Sequence, residues 1–432
     1  MDARTTARLH ELLSRPINWE AVLHAAARHR VRPLLYAALA KAESGAVPSA
    51  VLSELREFAA ENSRKSLFMI AQLFKLLDLL QSHGIPAAPF KGPVLSSLAY
   101  GSLALREVGD LDLLIRKSDM ASVKRLLVSR GFRPAFPTAR PDEVAYVEHL
   151  TGSDELHYLA SHEEHHFVNP RTTVNIDVHW ALTLRGFWVQ LRPNEVWWWL
   201  RSNPATDMNS SDARFEACRK AGFPGIRPVS STALQSGAST TNPPLRRQPL
   251  AGRALPGFGV EQTLLVLCLN GAKDCWRRLD RICDVAELLQ SHHQMNWQWI
   301  FQTAKRLGIR RMVCLGLALA ADLLDARVPE PAVKMIAADP KIGPLVKHVR
   351  ERLFAGDGSG VETLSGAMIL FHLRLRERLS DRIGYCLARL EPTLGDWAAF
   401  PIPRRLALLQ YFARPVRLLI RFCRSRLRSF ER

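Results

Sequence analysis

The sequence predicts an α+β fold in which a small mixed β-sheet lies between N- and C-terminal helical regions. Residues 1–83 and the chain from Leu255 onward repeat apolar side chains at helical spacing, whereas residues 84–180 alternate short apolar runs with helical segments. The 432 residues are 47% hydrophobic and 23% charged, which is typical of a globular protein of two or three domains.

The N-terminal region, residues 1–83, is expected to be helical. The segment NWEAVLHAAARHRVRPLLYAALA begins at Asn18, whose side chain suits a helix N-cap. A long amphipathic segment follows it and ends at Gly84. The segment from Asn18 also resembles NWQWIFQTAKRLGIR at residues 296–310, which indicates either a duplicated helical unit or two independent Asn-capped helices.

The central region, residues 84–200, is expected to contain the sheet. In chain order it reads as the extended run IPAAPF, the helix KGPVLSSLAY, the strand DLDLLIR, a helix that ends at Gly131, and a hairpin of SHEEHHFV and TVNIDVHW around the turn NPRT. The spacing of four histidines in or near this hairpin favours a polar surface over a metal site; they are His157, His162, His165 and His166.

The rest of the chain divides by composition. Residues 201–250 are typical of a Ser/Pro-rich linker or insertion, residues 251–360 of a helical domain, and residues 361–432 of a basic amphipathic helical C-terminus. In the helical domain, Lys273, Arg277 and Asp284 recur at helical spacing, which favours ion pairs within one helix.

Charge and targeting signals limit the classes of partner. The net charge of +18 implies attraction to anions, and residues 404–432 alone carry nine arginines, so docking to nucleic acid or a membrane surface through this tail is possible. A terminal helix with a solvated basic face is the simpler interpretation. The polar N-terminus and the short length of the longest apolar run, residues 312–321, predict a cytoplasmic protein without a transmembrane segment. The seven cysteines show no CxxC spacing and are expected to be reduced.

Three aspartates form the predicted reaction centre. Asp110 and Asp112 alternate with leucines in DLDLLI and share one face of a strand, and Asp177 lies on the polar face of TVNIDVHW. If the two strands are neighbours, the carboxylates converge and suit Mg²⁺, of which two ions can clamp a phosphoryl displacement. His179 shares the face of Asp177 and either orients a carboxylate or phosphate or packs beside Trp180.

The turn before the acidic strand is expected to bind phosphate. Lys91 and Gly92 lie at the start of the predicted helix KGPVLSSLAY, where free backbone N–H groups and the helix dipole attract anions. Pro93 suits the first helical turn, and Arg106 lies close enough in sequence to reach the same phosphates. The predicted nucleotide-binding residues are therefore Lys91, Gly92, Arg106 and His179.

The segments KGPVLSSLAY, Arg106, DLDLLI and VNIDVHW together resemble the uncharacterised branch of the polymerase-β-type nucleotidyltransferase superfamily, over roughly residues 10–330 apart from 201–243. The resemblance implies a small mixed-sheet nucleotidyltransferase core in which Asp110, Asp112 and Asp177 hold two Mg²⁺ ions, with Asp177 near the acceptor hydroxyl. It implies transfer of a nucleoside monophosphate from a triphosphate such as ATP to an unidentified small-molecule or macromolecular acceptor, with release of pyrophosphate.

Two departures from the superfamily pattern keep a second function open. Lys91-Gly92 stands where the superfamily usually has Gly-Ser, and the pair Gly101-Ser102 lies too close to Asp110 to replace it. Asn270 stands where the branch commonly has histidine. The alternative function is therefore a catalytically inactive nucleotide- or partner-binding module of the same fold.

Overall fold

The computed structural model describes residues 3–42, 45–135, 164–182, 187, 189, 191, 193–201, 245–355 and 366–390. Within these ranges lie fifteen helices, a five-stranded mixed sheet and a two-stranded sheet, which confirms the α+β fold. The strands are β1 (Ala87–Pro89), β2 (Leu111–Ile115), β3 (Arg133–Ala135), β4 (Glu164–Asn169), β5 (Val174–His179), β6 (Arg247–Leu250) and β7 (Arg253–Pro256).

The helices lie on both sides of the sheet in sequence. Those before or within the sheet region are α1 (Ala3–Leu13), α2 (Trp19–Arg28), α3 (Arg32–Leu39), α4 (Ser49–Ser82), α5 (Gly92–Tyr100), α6 (Met120–Ser129) and α7 (Pro193–Trp199). Those after it are α8 (Val260–Lys273), α9 (Leu279–Ser291), α10 (Trp297–Leu307), α11 (Arg310–Leu324), α12 (Glu330–Ala337), α13 (Ile342–Phe354), α14 (Gly366–Leu375) and α15 (Leu379–Leu390).

The five-stranded sheet has the order β1-β2-β5-β4-β3. Strands β2 and β5 are parallel neighbours, whereas the other pairs are antiparallel. The predicted hairpin of β4 and β5 is therefore present, and the two strands that carry the aspartates lie side by side.

Both faces of the sheet are covered. Leu111, Leu113 and Ile176 belong to one apolar cluster with side chains of α4 and α6. Ala88 and Leu114 belong to a second cluster with the helices that follow Gly259. Because side chains alternate along β2, Asp112 lies on the second face, where the sheet meets the C-terminal helices.

The single helix predicted from Asn18 is two helices. Asn18 caps α2 as predicted, because its side chain accepts a backbone N–H at 3.1 Å. Helix α2 then ends at a left-handed residue, Arg30, with φ of +56°. Val31 N–H donates to Ala26 O at 2.9 Å, which closes the helix by a C-terminal capping turn, and α3 begins at the next residue.

The same turn recurs in the second copy of the Asn-Trp motif. Asn296 caps α10, and Gly308 adopts the left-handed conformation with φ of +71°. Ile309 N–H donates to the carbonyl five residues earlier at 2.9 Å, the same bond as that of Val31. The match covers two helices and the turn between them, which favours a duplicated unit over two independent caps.

The segment GAKDCWRRLDRICD, for which the residue spacing predicts one helix, is also interrupted. Helix α8 ends at Lys273 and α9 begins at Leu279, and Cys275 and Trp276 between them have φ of +54° and +52°. Lys273 and Asp284 therefore lie on different helices. The predicted ion pairing of Asp284 within one helix is wrong, since Asp284 binds a residue of the sheet region instead.

Several expectations concern residues outside the described ranges, namely His157, His162, the arginine-rich tail after Leu390 and residues 202–244 of the predicted linker. That linker is predicted over 201–250, but its last residues form strand β6. Among the helices that the structure describes, none combines the length and apolar character needed to cross a membrane. The five described cysteines are free thiols.

Candidate functional site

Two of the predicted aspartates face each other across neighbouring strands. In the parallel pair of β2 and β5, Asp112 is directly opposite Asp177. Asp110 precedes β2 by one residue, which puts it on the same side as Asp112. The fold therefore brings Asp112 and Asp177 together, and Asp110 lies near enough for their charges to act on it. Among the described residues, the ligand atoms that lie within 4.8 Å of one another belong to Asp112, Asp177 and His179, without Asp110.

Asp112 is buried and paired with two nitrogen atoms. Lys91 Nζ lies 2.9 Å and His179 Nε2 lies 3.0 Å from its Oδ1. Burial disfavours the ionised carboxylate, but Lys91 and His179 outweigh burial and hold the pKa of Asp112 far below its ordinary value. Oδ2 of Asp112 accepts no hydrogen bond from the described residues, so this oxygen is available to a ligand.

A ring of alternating acids and histidines links Asp112 to Asp177. His179 Nδ1 lies 3.3 Å from Glu164 Oε2, and the other oxygen of Glu164 lies 3.8 Å from His166 Nε2. His166 Nδ1 in turn binds Asp177 Oδ1. Burial disfavours the charged form of His166, but its bonds to Asp177 and Glu164 outweigh burial and raise the pKa of His166 to about 10.

Glu164 and His166 belong to this site, although the sequence pattern assigns them to a polar hairpin surface. Burial raises the pKa of Glu164, but His166, His179 and the charge of Lys273 hold it well below its ordinary value. The strand register of the hairpin is the sequence signal that identifies these two residues as part of the site. Counting back from the turn NPRT pairs His166 with Asp177 and Glu164 with His179.

Asp110 has a different environment from Asp112. It forms no hydrogen bond or ion pair with any residue in the described part of the chain. Burial raises its pKa, and the negative charges of Asp112 and Asp177 raise it further, against the smaller opposing effects of Lys91 and Arg106. Asp110 is therefore a half-buried carboxylate that lacks a cationic partner.

Gly92 sets the distance between the predicted phosphate turn and the acidic strand. Its φ is +48°, and a Cβ at this position would lie 3.0 Å from the backbone oxygen of Asp110. Pro93 has no N–H, and Val94 and Leu95 N–H already donate to the Lys91 carbonyl. The first turn of α5 thus offers fewer free N–H groups to an anion than the sequence suggests, and Gly92 mainly permits close packing against the strand.

Arg106 is buried against α9. Its Nε and Nη2 donate to the two oxygens of Asp284 at 2.9 and 3.2 Å, and Tyr100 Oη donates to the same carboxylate at 2.9 Å. The predicted contact of Arg106 with phosphate stays a prediction. The guanidinium already has a bidentate partner, Asp284, which competes with such a contact. Its charge still acts on the site, since it lowers the pKa of Asp110.

A sequence model of a family described as uncharacterised nucleotidyltransferase matches residues 15–211 and 234–325, more than half of the chain. The chain belongs to this family. Membership supports nucleotidyl transfer as the general chemistry of the fold. The break in the match falls inside the segment that the composition assigns to a linker or insertion. No curated protein and no solved structure matches the chain.

In this member of the nucleotidyltransferase family, the site residues fit a divalent cation. Asp112, Asp177 and His179 each offer a ligand atom, and these atoms lie within 4.8 Å of one another. The free Oδ2 of Asp112 and the unpaired carboxylate of Asp110 are the oxygen ligands that Mg²⁺ prefers. Both ring nitrogens of His179 contact carboxylates, so His179 is better suited to orient Asp112 than to coordinate a metal.

The two departures from the superfamily pattern are also defined. Gly101 ends α5 with φ of +58°, and Ser102 Oγ accepts the Ala104 N–H, so this Gly-Ser pair forms a helix end. Asn270 is buried on α8, and its Nδ2 has no hydrogen-bond partner among the described residues. A buried amide donor without an acceptor costs free energy of folding. Asn270 departs from the superfamily pattern and also has an unsatisfied amide donor.

An apolar cavity adjoins Lys91 between α5 and α8. Its volume is only about 20 Å³, and its lining includes Phe90, Leu98 and Phe258. The Phe90 ring also meets the His179 ring edge-on, with centroids 5.0 Å apart.

Proposed function

We propose that the protein is a Mg²⁺-dependent nucleotidyltransferase that transfers a nucleoside monophosphate from a triphosphate to an acceptor hydroxyl. Asp110, Asp112 and Asp177 would hold the metal, with two ions as the expected number. Bound Mg²⁺ would neutralise the triphosphate and stabilise the charge that develops on the departing pyrophosphate.

The observation that carries this proposal is the unpaired carboxylate of Asp110 beside two other carboxylates. Asp112 already contacts Lys91 and His179, and Asp177 contacts His166, whereas Asp110 contacts none of the described cations. A half-buried carboxylate whose pKa is raised by burial and by two neighbouring acids gains most from a cation ligand.

The protein side chains have separable roles in this proposal. Lys91 keeps Asp112 ionised, and His179 fixes the orientation of that carboxylate through its contact with Glu164. His166 fixes Asp177, which the family resemblance puts near the acceptor hydroxyl. These contacts hold the metal-binding oxygens in place before substrate arrives.

Calorimetric titration of the four nucleoside triphosphates, each with Mg²⁺ and with EDTA, tests the proposal. At least one triphosphate is expected to bind only with Mg²⁺, and Asp110→Asn is expected to weaken that binding tenfold or more. Asp110→Asn suits this test because it removes no described contact. Glu330→Gln, which removes one exposed carboxylate on α12, is the matched control and should bind as wild type does.

Binding of the triphosphates that is unchanged by EDTA or by Asp110→Asn would show the metal-site assignment to be wrong. Turnover is measured separately, as pyrophosphate release from the bound triphosphate in the presence of hydroxyl-bearing acceptors. Release that requires both Mg²⁺ and Asp177 is expected. Mg²⁺-dependent binding without release would favour the inactive nucleotide-binding module.

A further inference from the structure

Arg30, in the turn between α2 and α3, has no part in the site described above. We infer that its guanidinium binds the polyphosphate end of the substrate, so that the N-terminal helices form part of the nucleotide site. This inference rests on the proposed function for the identity of the ligand.

Arg30 lies against the residue that precedes the acidic strand. Its Nη2 is 2.8 Å from the point where a Cβ would stand on Gly109, and Gly109 is bonded to Asp110. Any side chain at position 109 would displace this guanidinium. The close approach puts a cation within one residue of the unpaired carboxylate.

The Arg30 guanidinium forms no hydrogen bond or ion pair with the residues that the structure describes. The arginines on either side are engaged, since Arg28 donates to Leu353 O at 2.6 Å and Arg32 binds Glu107 at 3.3 Å. Arg30 and Asp110 do not pair with each other, although Arg30 lies against Gly109, the residue before Asp110. A metal-bound polyphosphate would give a cation to Asp110 and an anion to Arg30.

Two further guanidinium groups lie near Arg30, and each has a carboxylate partner. Arg278 pairs with Asp280 at 3.2 Å, and Arg281 pairs with Asp274 at 3.3 Å, whereas Arg30 pairs with none of the described carboxylates. Burial lowers the pKa of Arg278, and the charges of Arg281 and Arg30 lower it further against the effect of Asp280. An anionic ligand would relieve this repulsion.

The nearby helix terminus does not supply an alternative anion site. Leu279 N–H donates to His29 Nδ1 at 3.3 Å, and Asp280 N–H donates to His29 O at 3.2 Å. His29 therefore occupies the first turn of α9. The donors without a partner among the described residues of this region are on side chains, namely the Arg30 guanidinium and the buried Nε of Arg281.

The backbone supports a ligand-binding role for this side chain. Arg30 has φ of +56°, a backbone conformation that residues other than glycine adopt only at a cost in free energy. The equivalent turn of the duplicated unit has glycine, Gly308, with φ of +71° and the same hydrogen bonds. The turn itself thus does not need an arginine, and the arginine is found in the copy that reaches the acidic strand.

Titration of the full chain with inorganic tripolyphosphate, with and without Mg²⁺, tests the inference. Arg30→Gly should bind the probe at least tenfold more weakly than wild type, because a bidentate charge-assisted contact is lost. Its affinity for Mg²⁺ alone should be unchanged, and its urea midpoint should be equal or higher because glycine suits the left-handed φ. Arg64→Ala, an exposed arginine on α4, should bind the probe as wild type does.

A second variant, Arg30→Lys, keeps the charge without the planar fork and should fall between wild type and Arg30→Gly. Tripolyphosphate affinity of Arg30→Gly within twofold of wild type would overturn the inference, and so would an equal loss in Arg64→Ala. Failure of the proposed function is distinguishable, since it appears as absent Mg²⁺ binding in wild type, whereas the metal-free titration still measures the Arg30 contact.

Discussion

Asp110 and Asp112 are two residues apart and have opposite electrostatic environments. Asp112 is buried between Lys91 and His179, which hold its pKa far below the ordinary value against the effect of burial. Asp110 has no such partner, and burial with two neighbouring carboxylates raises its pKa. The same side chain therefore stabilises the metal-free protein at one position and destabilises it at the other.

Replacement of each aspartate by asparagine should change stability in opposite directions. In EDTA, Asp110→Asn is expected to raise the free energy of unfolding by up to about 1 kcal/mol, because a repelling charge is removed. Asp112→Asn is expected to lower it by roughly 3 kcal/mol, because Lys91 and His179 lose a buried partner. Urea denaturation measures both changes, and a shift of the two variants in the same direction would contradict the electrostatic assignment.

Gly92 is the second residue-scale test. Gly92→Ala is expected to lower the free energy of unfolding by about 2 kcal/mol, since a side chain at φ of +48° is strained and its Cβ would lie 3.0 Å from Asp110 O. Gly343→Ala on α13 is the control, because no atom lies within 4 Å of a Cβ there and alanine favours a helix. The control should be neutral or stabilising, and an equal loss in both variants would rule out a special role for Gly92.

At the scale of secondary-structure elements, a buried triad joins the sheet region to the C-terminal helices. Tyr100 at the end of α5 and Arg106 in the loop that leads to β2 both donate to Asp284 of α9. Burial disfavours the charged guanidinium, but Asp284 outweighs it and raises the pKa of Arg106. The loop that leads into Asp110 is therefore anchored to a helix far away in sequence.

Loss of the shared acceptor should cost much more than loss of one donor. Asp284→Asn is expected to destabilise the protein by roughly 3–5 kcal/mol, because Arg106 becomes a buried charge without a counter-ion. Tyr100→Phe removes one hydrogen bond and is expected to cost about 1 kcal/mol. Thermal or urea unfolding compares them, with Glu330→Gln as the surface control, and similar losses for Asp284→Asn and Tyr100→Phe would argue against the buried ion pair.

The sequence predicts most elements of the sheet region because their signals are local. Apolar alternation identifies β2 and β5, and Gly84 and Gly131 mark the ends of α4 and α6. The interruptions of the N-terminal helix and of the helix after Gly259 are not predictable in this way. They occur at Arg30, Cys275 and Trp276, which adopt positive φ without glycine at the turn.

The site is predictable only as far as its residues lie on strands with clear patterns. The juxtaposition of Asp112 and Asp177 follows from the strand pattern once β2 and β5 are neighbours. The partners of Arg106 and the site position of Glu164 depend on tertiary packing and on strand register. The residue pattern of one segment contains no information on tertiary packing or strand register, because each depends on a second segment of the chain.

At the scale of the whole molecule, a buried histidine connects three helices of the C-terminal region. His372 of α14 lies 2.9 Å from Tyr385 Oη of α15 and 3.2 Å from the carbonyls of Ala272 and Lys273 at the end of α8. Burial lowers the pKa of His372 to about 4, with further lowering by the charges of Arg376 and Arg389. The neutral imidazole satisfies both contacts, as donor to the carbonyls and acceptor from the tyrosine.

The free energy of unfolding should therefore fall as the pH falls from 6.5 to 4. Above pH 6.5, His372 is neutral in both states and contributes no pH dependence. Between pH 6.5 and 4 the unfolded chain binds a proton that the folded protein does not, which favours unfolding. The loss is of order 2–3 kcal/mol, and below pH 4 it levels off because both states are protonated.

Urea denaturation between pH 4.5 and 7.5 measures this slope. His372→Asn is expected to be less stable at pH 7.5 but to lose less stability on acidification than wild type does. Equal slopes for the two proteins would show that His372 is not titrating in this range, and that other groups cause any acid destabilisation.

The parallel pairing of β2 with β5 has a consequence for the order of folding. Asp112 and Asp177 are opposite each other, yet the chain between them first forms α6, β3 and β4. Closing a loop of this length costs conformational entropy before contacts between β2 and β5 can stabilise the strand pair. The β4–β5 hairpin, in contrast, can form locally. The acidic site should therefore assemble late in folding, so that metal binding reports on the fully native chain and excludes partly folded species.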